Sequence, residues 1–349
     1  MHKPEILIPL LTLKSNGGGI VVMELSRSIL RQGGRVTIVT SNYHGDEIAR
    51  FQENAGIKFL VTPALCGRHV SSALLLVYGS IYSFVHKPIL LYTHTVTTLI
   101  PNFSDKQPIW LAQDIEYKFF KKRLKLVFKV IIKRAINKNK LIITSNWLGR
   151  FFRRVGSKII YSNNIGISQK IFKKLNSKKN NTENYDVLII AKKGSHKRGF
   201  ESRALAKKIA EFGTRVLLID QIGGSRHGLS GSLEVVGAVE HQQMIQYLLA
   251  SRIFVNISSS EGYGLVPLEA LAAGCRVIST PTPSLYKVKN SNLYIIKEQN
   301  NIIEESINLV KRNMNTSIGP DVENKIASEF FLEDWANCAS KKIIDDVYI

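Results

Sequence analysis

Apolar residues along this chain come in short continuous runs separated by amphipathic stretches. Ile6-Leu7-Ile8-Pro9-Leu10 and Val36-Thr37-Ile38-Val39-Thr40 are two such runs. Between them Val21, Val22, Leu25, Ile29 and Leu30 recur at helical spacing over 20–31, and Gly33-Gly34 stops that helix. The pattern predicts strand, helix, strand. Ile89-Leu90-Leu91-Tyr92, Trp110-Leu111-Ala112 and Leu141-Ile142-Ile143 predict further strands. Residues 173–184 are polar, charged and poor in apolar groups, which reads as a linker. Beyond it the alternation restarts: strands at Val187–Ile190, Val216–Ile219, Ile253–Ile257 and Arg276–Ile278, with helices over 203–212 and 244–250. Continuous apolar strands alternating with helices predict α/β architecture, with parallel sheets covered on both faces. Residues 330–348 predict a terminal helix holding Trp335 and Ala336.

One stretch adds chemistry to this pattern. After the run ending at Ile257 comes Ser258-Ser259-Ser260-Glu261-Gly262-Tyr263-Gly264-Leu265-Val266-Pro267-Leu268-Glu269, and Gly274 follows shortly. Gly262 and Gly264 suit a tight turn with close backbone approach. Pro267 fits a first helical turn, and Gly274 the position past its end. Free N–H groups at such a helix start suit phosphate. Glu261 and Glu269, with seven residues between them, bracket the turn. Two carboxylates flanking a phosphate site suit sugar hydroxyls on either side of a diphosphate.

The segment resembles the signature of the family-4 retaining glycosyltransferases: Glu, a Gly-Phe/Tyr-Gly turn, a second Glu, then a small-residue run, Gly and a strand. Glu261, Gly262, Tyr263, Gly264, Glu269, Ala270, Gly274 and the strand at Arg276-Val277-Ile278 all match. The resemblance implies the GT-B fold, two Rossmann-like β/α/β domains facing across a cleft. The expected organisation is an acceptor-binding domain at 1–172, the linker at 173–184, and a nucleotide-sugar-binding domain at 185–325. A helix at 326–349 then crosses back to the first domain.

Site residues follow from the same resemblance. Glu261 grips the sugar ring and Glu269 the ribose. The family has Gly-Arg and then Lys-Gly after the first strand of the donor domain, both cations clamping the diphosphate. Here Ala191-Lys192-Lys193-Gly194-Ser195-His196-Lys197-Arg198-Gly199 occupies that place. Lys197 fits the second cation; the first is either Lys192 or Lys193. The N–H groups near Gly264 and Leu265 complete the donor site. Ser15-Asn16-Gly17-Gly18-Gly19 resembles the glycine loop facing the cleft, which brings in Gly18 and Gly19. His94, at a strand's carboxyl end where open α/β sheets bind ligands, matches a family histidine near the donor sugar; capping its neighbours is the alternative. Gln113-Asp114-Ile115-Glu116 resembles a segment of a subset of these enzymes, so Asp114 either orients or deprotonates an acceptor hydroxyl or caps the next helix. Catalytic roles are thus expected for Glu261, Asp114 and His94.

Charge narrows the partner. The 349 residues carry a net charge of +21, and all of the excess lies in 1–180, with 29 Lys/Arg against 8 Asp/Glu; 181–349 holds 19 of each. Lys121, Lys122, Arg123, Lys125, Lys129, Lys133, Arg134, Lys138 and Lys140 cluster in a helix candidate at 118–140, with an apolar stripe of Phe120, Leu124, Val127, Phe128 and Ile131. Such a face suits an anionic membrane surface. The interleaved aromatics of single-strand binders are absent, so no nucleic-acid partner is expected. Cys66, Cys275 and Cys338 show neither disulfide nor metal spacing, and no signal peptide opens the chain, so a cytoplasmic protein, peripheral on the inner face of the plasma membrane, is expected. No Gly-x-Gly-x-x-Gly fingerprint is present, so a nicotinamide cofactor is not expected, and the resemblance implies that neither another cofactor nor a metal is needed. The resemblance implies hexosyl or deoxyhexosyl transfer from a UDP-, GDP- or dTDP-sugar to a lipid-linked or oligosaccharide acceptor in O-antigen- or capsule-like polysaccharide assembly. The rivals are a GT-B nucleotide-sugar epimerase and a basic nucleic-acid-binding protein.

Overall fold

The computed structural model describes residues 4–11, 17–41, 56–63, 68–116, 122–177, 184–223, 228–286, 288, 290–297, 300–314 and 331–348. The chain divides into two compact units, Met1–Ile165 with Leu332–Ile349, and Gly166–Phe331.

The first unit is built on a seven-stranded parallel sheet: β1 (Glu5–Leu10), β2 (Arg35–Ser41), β3 (Ile57–Thr62), β4 (Ile89–Tyr92), β5 (Ile109–Ala112), β6 (Lys140–Ile143) and β7 (Ile159–Ser162). Their order in space is β3-β2-β1-β4-β5-β6-β7. The chain therefore runs outward from β1, then returns to build the other half from β4. Right-handed crossovers place helices from the two halves on opposite faces. α1 (Gly17–Arg31) covers one face; α2 (Arg68–His86), α3 (Lys122–Lys138) and α4 (Asn146–Arg154) cover the other. On that second face Leu75, Ile132, Ala135, Ile136, Leu148 and Phe152 pack with Leu7, Leu90, Trp110 and Leu141. Helix α10 (Leu332–Tyr348) packs on α1, where Ser28 Oγ donates to Asn337 Oδ1 at 2.6 Å and Gln32 Nε2 donates to the Asn337 carbonyl at 3.1 Å.

The second unit repeats the plan. Along it lie α5 (Gln169–Ser177), β8 (Tyr185–Ala191), α6 (Gly199–Ala210), β9 (Val216–Asp220), β10 (Gly228–Ser230), β11 (Leu233–Val236), α7 (His241–Leu249), β12 (Ser251–Asn256), α8 (Leu265–Ala272), β13 (Arg276–Ser279), β14 (Leu293–Ile295) and α9 (Ile302–Met314). The sheet order is β10-β11-β9-β8-β12-β13-β14, with only β10 antiparallel. Side-chain alternation along the strands divides them between two cores. Val187 and Ile189 of β8 pack with Leu205 and Ile209 of α6 on one face. Leu188 and Ile190 pack with Ile245, Leu248, Ala270 and Leu271 of α7 and α8 on the other. Burial on both faces is why these strands read as unbroken apolar runs.

Three expectations change. The glycine run is not a free loop where it is described: Gly17, Gly18 and Gly19 form the first turn of α1 (residues 12–16 lie outside the described part). The stretch expected as a linker at 173–184 begins inside α5. Leu175 is buried between α7 and α8 while Lys170 and Lys173 point outward, so a polar composition conceals a docked helix; residues 178–183 lie outside the described part. The buried edge of α3 runs through Ile132, Ala135 and Ile136, whereas Val127 of the expected stripe is 52% exposed. Lys118, Phe120 and Lys121, and residues 326–330 of the expected terminal helix, lie outside the described part.

Candidate active site

In the second unit, β8 and β12 are neighbours whose following helices leave to opposite faces of the sheet. Such a switch point opens a crevice beyond the carboxyl ends of the strands, the usual ligand position in open α/β sheets. Both chemically informative loops of this unit emerge there. After β8 the chain passes Lys192, turns at Gly194 (φ 108°), makes a short 3-10 turn at Ser195–Lys197, and enters α6 through Arg198 (φ 49°). Gly199 starts that helix against the β8 loop: a Cβ there would lie 2.4 Å from the Lys192 carbonyl oxygen. After β12 comes the turn Glu261–Gly264, with Gly264 at φ 87°.

A backbone bond joins the two loops. Ser259 donates its N–H to the His196 carbonyl at 2.8 Å. Ser284, in the loop after β13, braces the 261–264 turn: it donates its N–H to the Tyr263 carbonyl at 2.9 Å, and its hydroxyl to the Gly264 carbonyl at 2.5 Å. Lys197 is thereby held beside Glu261. Its Nζ lies 2.5 Å from Glu261 Oε2 and donates to the Ser260 carbonyl at 3.2 Å; Lys192 Nζ lies 3.3 Å from Glu261 Oε1. All three side chains are mostly buried, at 10% exposure for Glu261, 19% for Lys192 and 17% for Lys197. Burial raises the Glu261 pKa, but Lys192, Lys197 and a hydrogen bond from Ser258 outweigh it and hold the carboxyl at about 2. The site is thus one carboxylate shared by two ammonium groups at a helix entrance.

Glu269 sits on the second turn of α8 and is 3% exposed. Its Oε1 lies 2.8 Å from Nε2 of His241, the first residue of α7. Its Oε2 is buried and finds no hydrogen-bond partner among the described residues.

Residues 225–316 match the model for glycosyl transferases group 1. One polypeptide of the human phosphatidylinositol N-acetylglucosaminyltransferase is 26% identical over 144 residues, covering 39% of this chain. The chain spans 29% of the length of that curated relative. Sucrose-phosphate synthase from Thermosynechococcus elongatus superposes with a TM-score of 0.71 at 15% identity, covering 99% of each chain. A glycosyltransferase from Rickettsia africae gives 0.63 at 14% identity, over 100% of this chain and 99% of its own. The fold is GT-B. The group 1 match supports a glycosyltransferase, and its span includes His241, Glu261 and Glu269, while Lys192 and Lys197 lie before it.

Within this GT-B chain the predicted residues fall into groups. Glu261, Lys192 and Lys197 meet directly, and Gly262, Tyr263, Gly264 and Leu265 form the turn and helix start beside them. Lys193 is exposed, so the choice between the two lysines falls on Lys192 for contact with Glu261. Tyr263 is 8% exposed, and burial raises its hydroxyl pKa.

His94, Asp114, Gly18 and Gly19 belong to the first unit. They gather near its own switch point, where β1 and β4 are neighbours. His94 Nδ1 lies 3.0 Å from Thr93 Oγ1, and the His94 carbonyl accepts from Thr97 Oγ1 at 2.7 Å. Gln113 Nε2 donates to the Gly18 carbonyl at 3.4 Å. Asp114 Oδ1 accepts the N–H of Ile115 at 2.7 Å, a local turn contact.

Two residues of these sites are not legible in the sequence. Glu116 accepts the Thr95 N–H with both oxygens, at 3.0 and 3.1 Å, and so fastens the His94 loop. Burial, with the Asp114 charge beside it, raises its pKa to about 7 against the pull of the Thr95 bonds. It stands two positions after Asp114, and an acidic residue type alone gives no sign of such burial. His241 carries no signal, because its partner is 28 positions away on another helix.

Proposed function

We propose that the chain is a family-4 retaining glycosyltransferase. It moves a hexosyl or deoxyhexosyl unit from a UDP-, GDP- or dTDP-sugar to a glycan or lipid-linked acceptor in polysaccharide assembly of the O-antigen or capsule type. The observation that carries this reading is the Lys192–Glu261–Lys197 cluster at the β8/β12 switch point, next to the Gly264–Leu265 helix start. In this reading Lys197 and Lys192 neutralise the diphosphate as it leaves, helped by the N–H groups of the α8 entrance. Glu261 orients the sugar ring, and Glu269 accepts hydroxyls of the ribose. Stabilising charge that develops on the leaving group is the largest catalytic contribution available to such a site. His94, Asp114 and the Gly18–Gly19 turn serve the sugar and acceptor side. A panel of UDP-, GDP- and dTDP-sugars tests the reading. Release of nucleoside diphosphate from at least one of them, with the product's anomeric configuration matching the donor's, is expected; no turnover from any donor, or an inverted product, contradicts it.

In the same reading the acceptor is membrane-bound and the chain docks on the inner face of the plasma membrane through its first unit. α2 and α3 cover the same face of the sheet, and Val77, Ile81, Phe84 and Val85 of α2 and Leu126, Val127 and Val130 of α3 are all more than half exposed. Exposed Lys129, Lys133, Arg134 and Lys138 accompany them on α3. Apolar side chains set among cations suit an anionic leaflet, where each basic group contributes about 1 kcal/mol. No helix among the described residues is long and apolar enough to cross a membrane. In vesicle flotation, recovery with anionic vesicles is expected to exceed recovery with neutral ones, and to fall when Lys129, Lys133 and Arg134 are replaced by alanine. Equal recovery with both vesicle types contradicts membrane docking.

A further inference from the structure

The Glu269 carboxylate combines deep burial with incomplete satisfaction. One oxygen has His241 as its partner; the other is buried and orphaned among the described residues. A buried carboxylate oxygen without a donor is costly and calls for a specific explanation. Its position offers one. Glu269 lies on α8, whose entrance carries Gly264 and Leu265 beside Glu261, Lys192 and Lys197. A ligand anchored by its diphosphate at that entrance brings hydroxyls into the same neighbourhood, and a hydroxyl donor is what the orphan acceptor lacks.

His241 determines which oxygen is left for that purpose. A carboxylate oxygen only accepts, so the 2.8 Å contact requires the proton on Nε2 of the imidazole. Because His241 opens α7 and Glu269 lies on α8, the bond joins two helices packed on the same face of the sheet and fixes the carboxylate between them. Burial opposes the imidazolium, but the bond to Glu269 and its charge outweigh it and raise the His241 pKa; the Nε2 donor is present in the imidazolium and in the neutral Nε2–H tautomer alike.

We propose that His241 is a positioning residue for ribose recognition: it occupies Glu269 Oε1 and thereby directs Oε2 to the vicinal hydroxyls of a nucleoside diphosphate. This rests on the proposed role of Glu269 as acceptor for the ribose. It assigns to His241 the difference in affinity between ribonucleotides and nucleotides that lack those hydroxyls, without direct contact to the ligand.

Calorimetry separates the two claims. UDP, GDP and their 2′,3′-dideoxy counterparts are titrated into wild type, His241→Leu, His241→Gln and Glu269→Gln. Wild type is expected to prefer the ribose form. His241→Leu is expected to weaken the ribose form about ten-fold, the loss of about one charge-assisted hydrogen bond, and to leave the dideoxy form unchanged. His241→Gln, which keeps an N–H donor, is expected to recover part of the preference. A purely structural role would weaken both forms together, and that result, or a full ribose preference in His241→Leu, overturns the inference while leaving Glu269 in place. Absence of any ribose preference in wild type, or its persistence in Glu269→Gln, overturns the Glu269 reading and the inference with it. Should His241→Leu fail to fold, His241→Gln and Glu269→Gln decide between the same outcomes.

Discussion

Glu261→Gln is expected to lower sugar transfer about 100–1000-fold while nucleoside diphosphate still binds. The magnitude is that of removing one preorganised electrostatic contact from a transition state. The substitution keeps the shape of the side chain and removes its charge. Lys192 and Lys197 then lose the carboxylate they share at 3.3 and 2.5 Å. Freed of that partner, they bind a diphosphate at least as well, so the defect appears in turnover and not in nucleotide affinity. Wild-type turnover in this variant would remove Glu261 from the site. Stability provides a second reading. Two mostly buried ammonium groups without their counter-charge cost about 1–3 kcal/mol. The Glu261 carboxyl titrates at about 2 in the folded chain, below its ordinary value of 4.5. Its contribution is therefore fully present above about pH 4.5 and is lost as pH falls towards 2. Melting curves should show the gap between wild type and Glu261→Gln closing over that window.

Lys197→Met is the second large effect expected, again about 100–1000-fold in turnover. Lys197 makes the shorter of the two contacts to Glu261 and is held by the Ser260 carbonyl as well. Its ammonium is consequently presented at one place, at the entrance of α8. Unlike Glu261→Gln, this change removes positive charge from the site and leaves Glu261 with Lys192 alone. Nucleotide affinity should fall together with turnover. Lys193→Met is the internal control: Lys193 is exposed, whereas Lys192 and Lys197 are the lysines that pair with Glu261, so a loss of similar size there would contradict the assignment.

What could be read from the residues beforehand divides along physical lines. The 261–274 turn and helix were readable because their determinants are local. Gly264 and Gly274 adopt φ values of 87° and 86°, which favour glycine, and Pro267 stands in the first turn of the helix. The strands of the second unit were readable because burial on both faces leaves no polar interruptions. What could not be read depends on packing between distant segments. Helix α3 carries apolar residues around much of its circumference, so periodicity alone could not tell Ile132, Ala135 and Ile136 from Leu126, Val127 and Val130. Leu175 docks a helix whose lysines give it the composition of a linker. The choice between Lys192 and Lys193 turns on which side of the chain faces Glu261 after β8, a one-residue distinction at a strand end. His241 depends on two helices meeting, and Glu116 on a loop that is 21 residues earlier in the chain.

In the proposed function the second unit holds a sugar diphosphate between Lys192, Lys197 and the α8 entrance. The decisive experiment is calorimetry of wild type and Lys192→Met/Lys197→Met with UDP, GDP and dTDP, each beside its monophosphate. At least one diphosphate is expected to bind wild type more tightly than its monophosphate, with the difference abolished in the double variant. No binding of any diphosphate, or an undiminished preference for it in the double variant, would remove the lysine pair from the donor site.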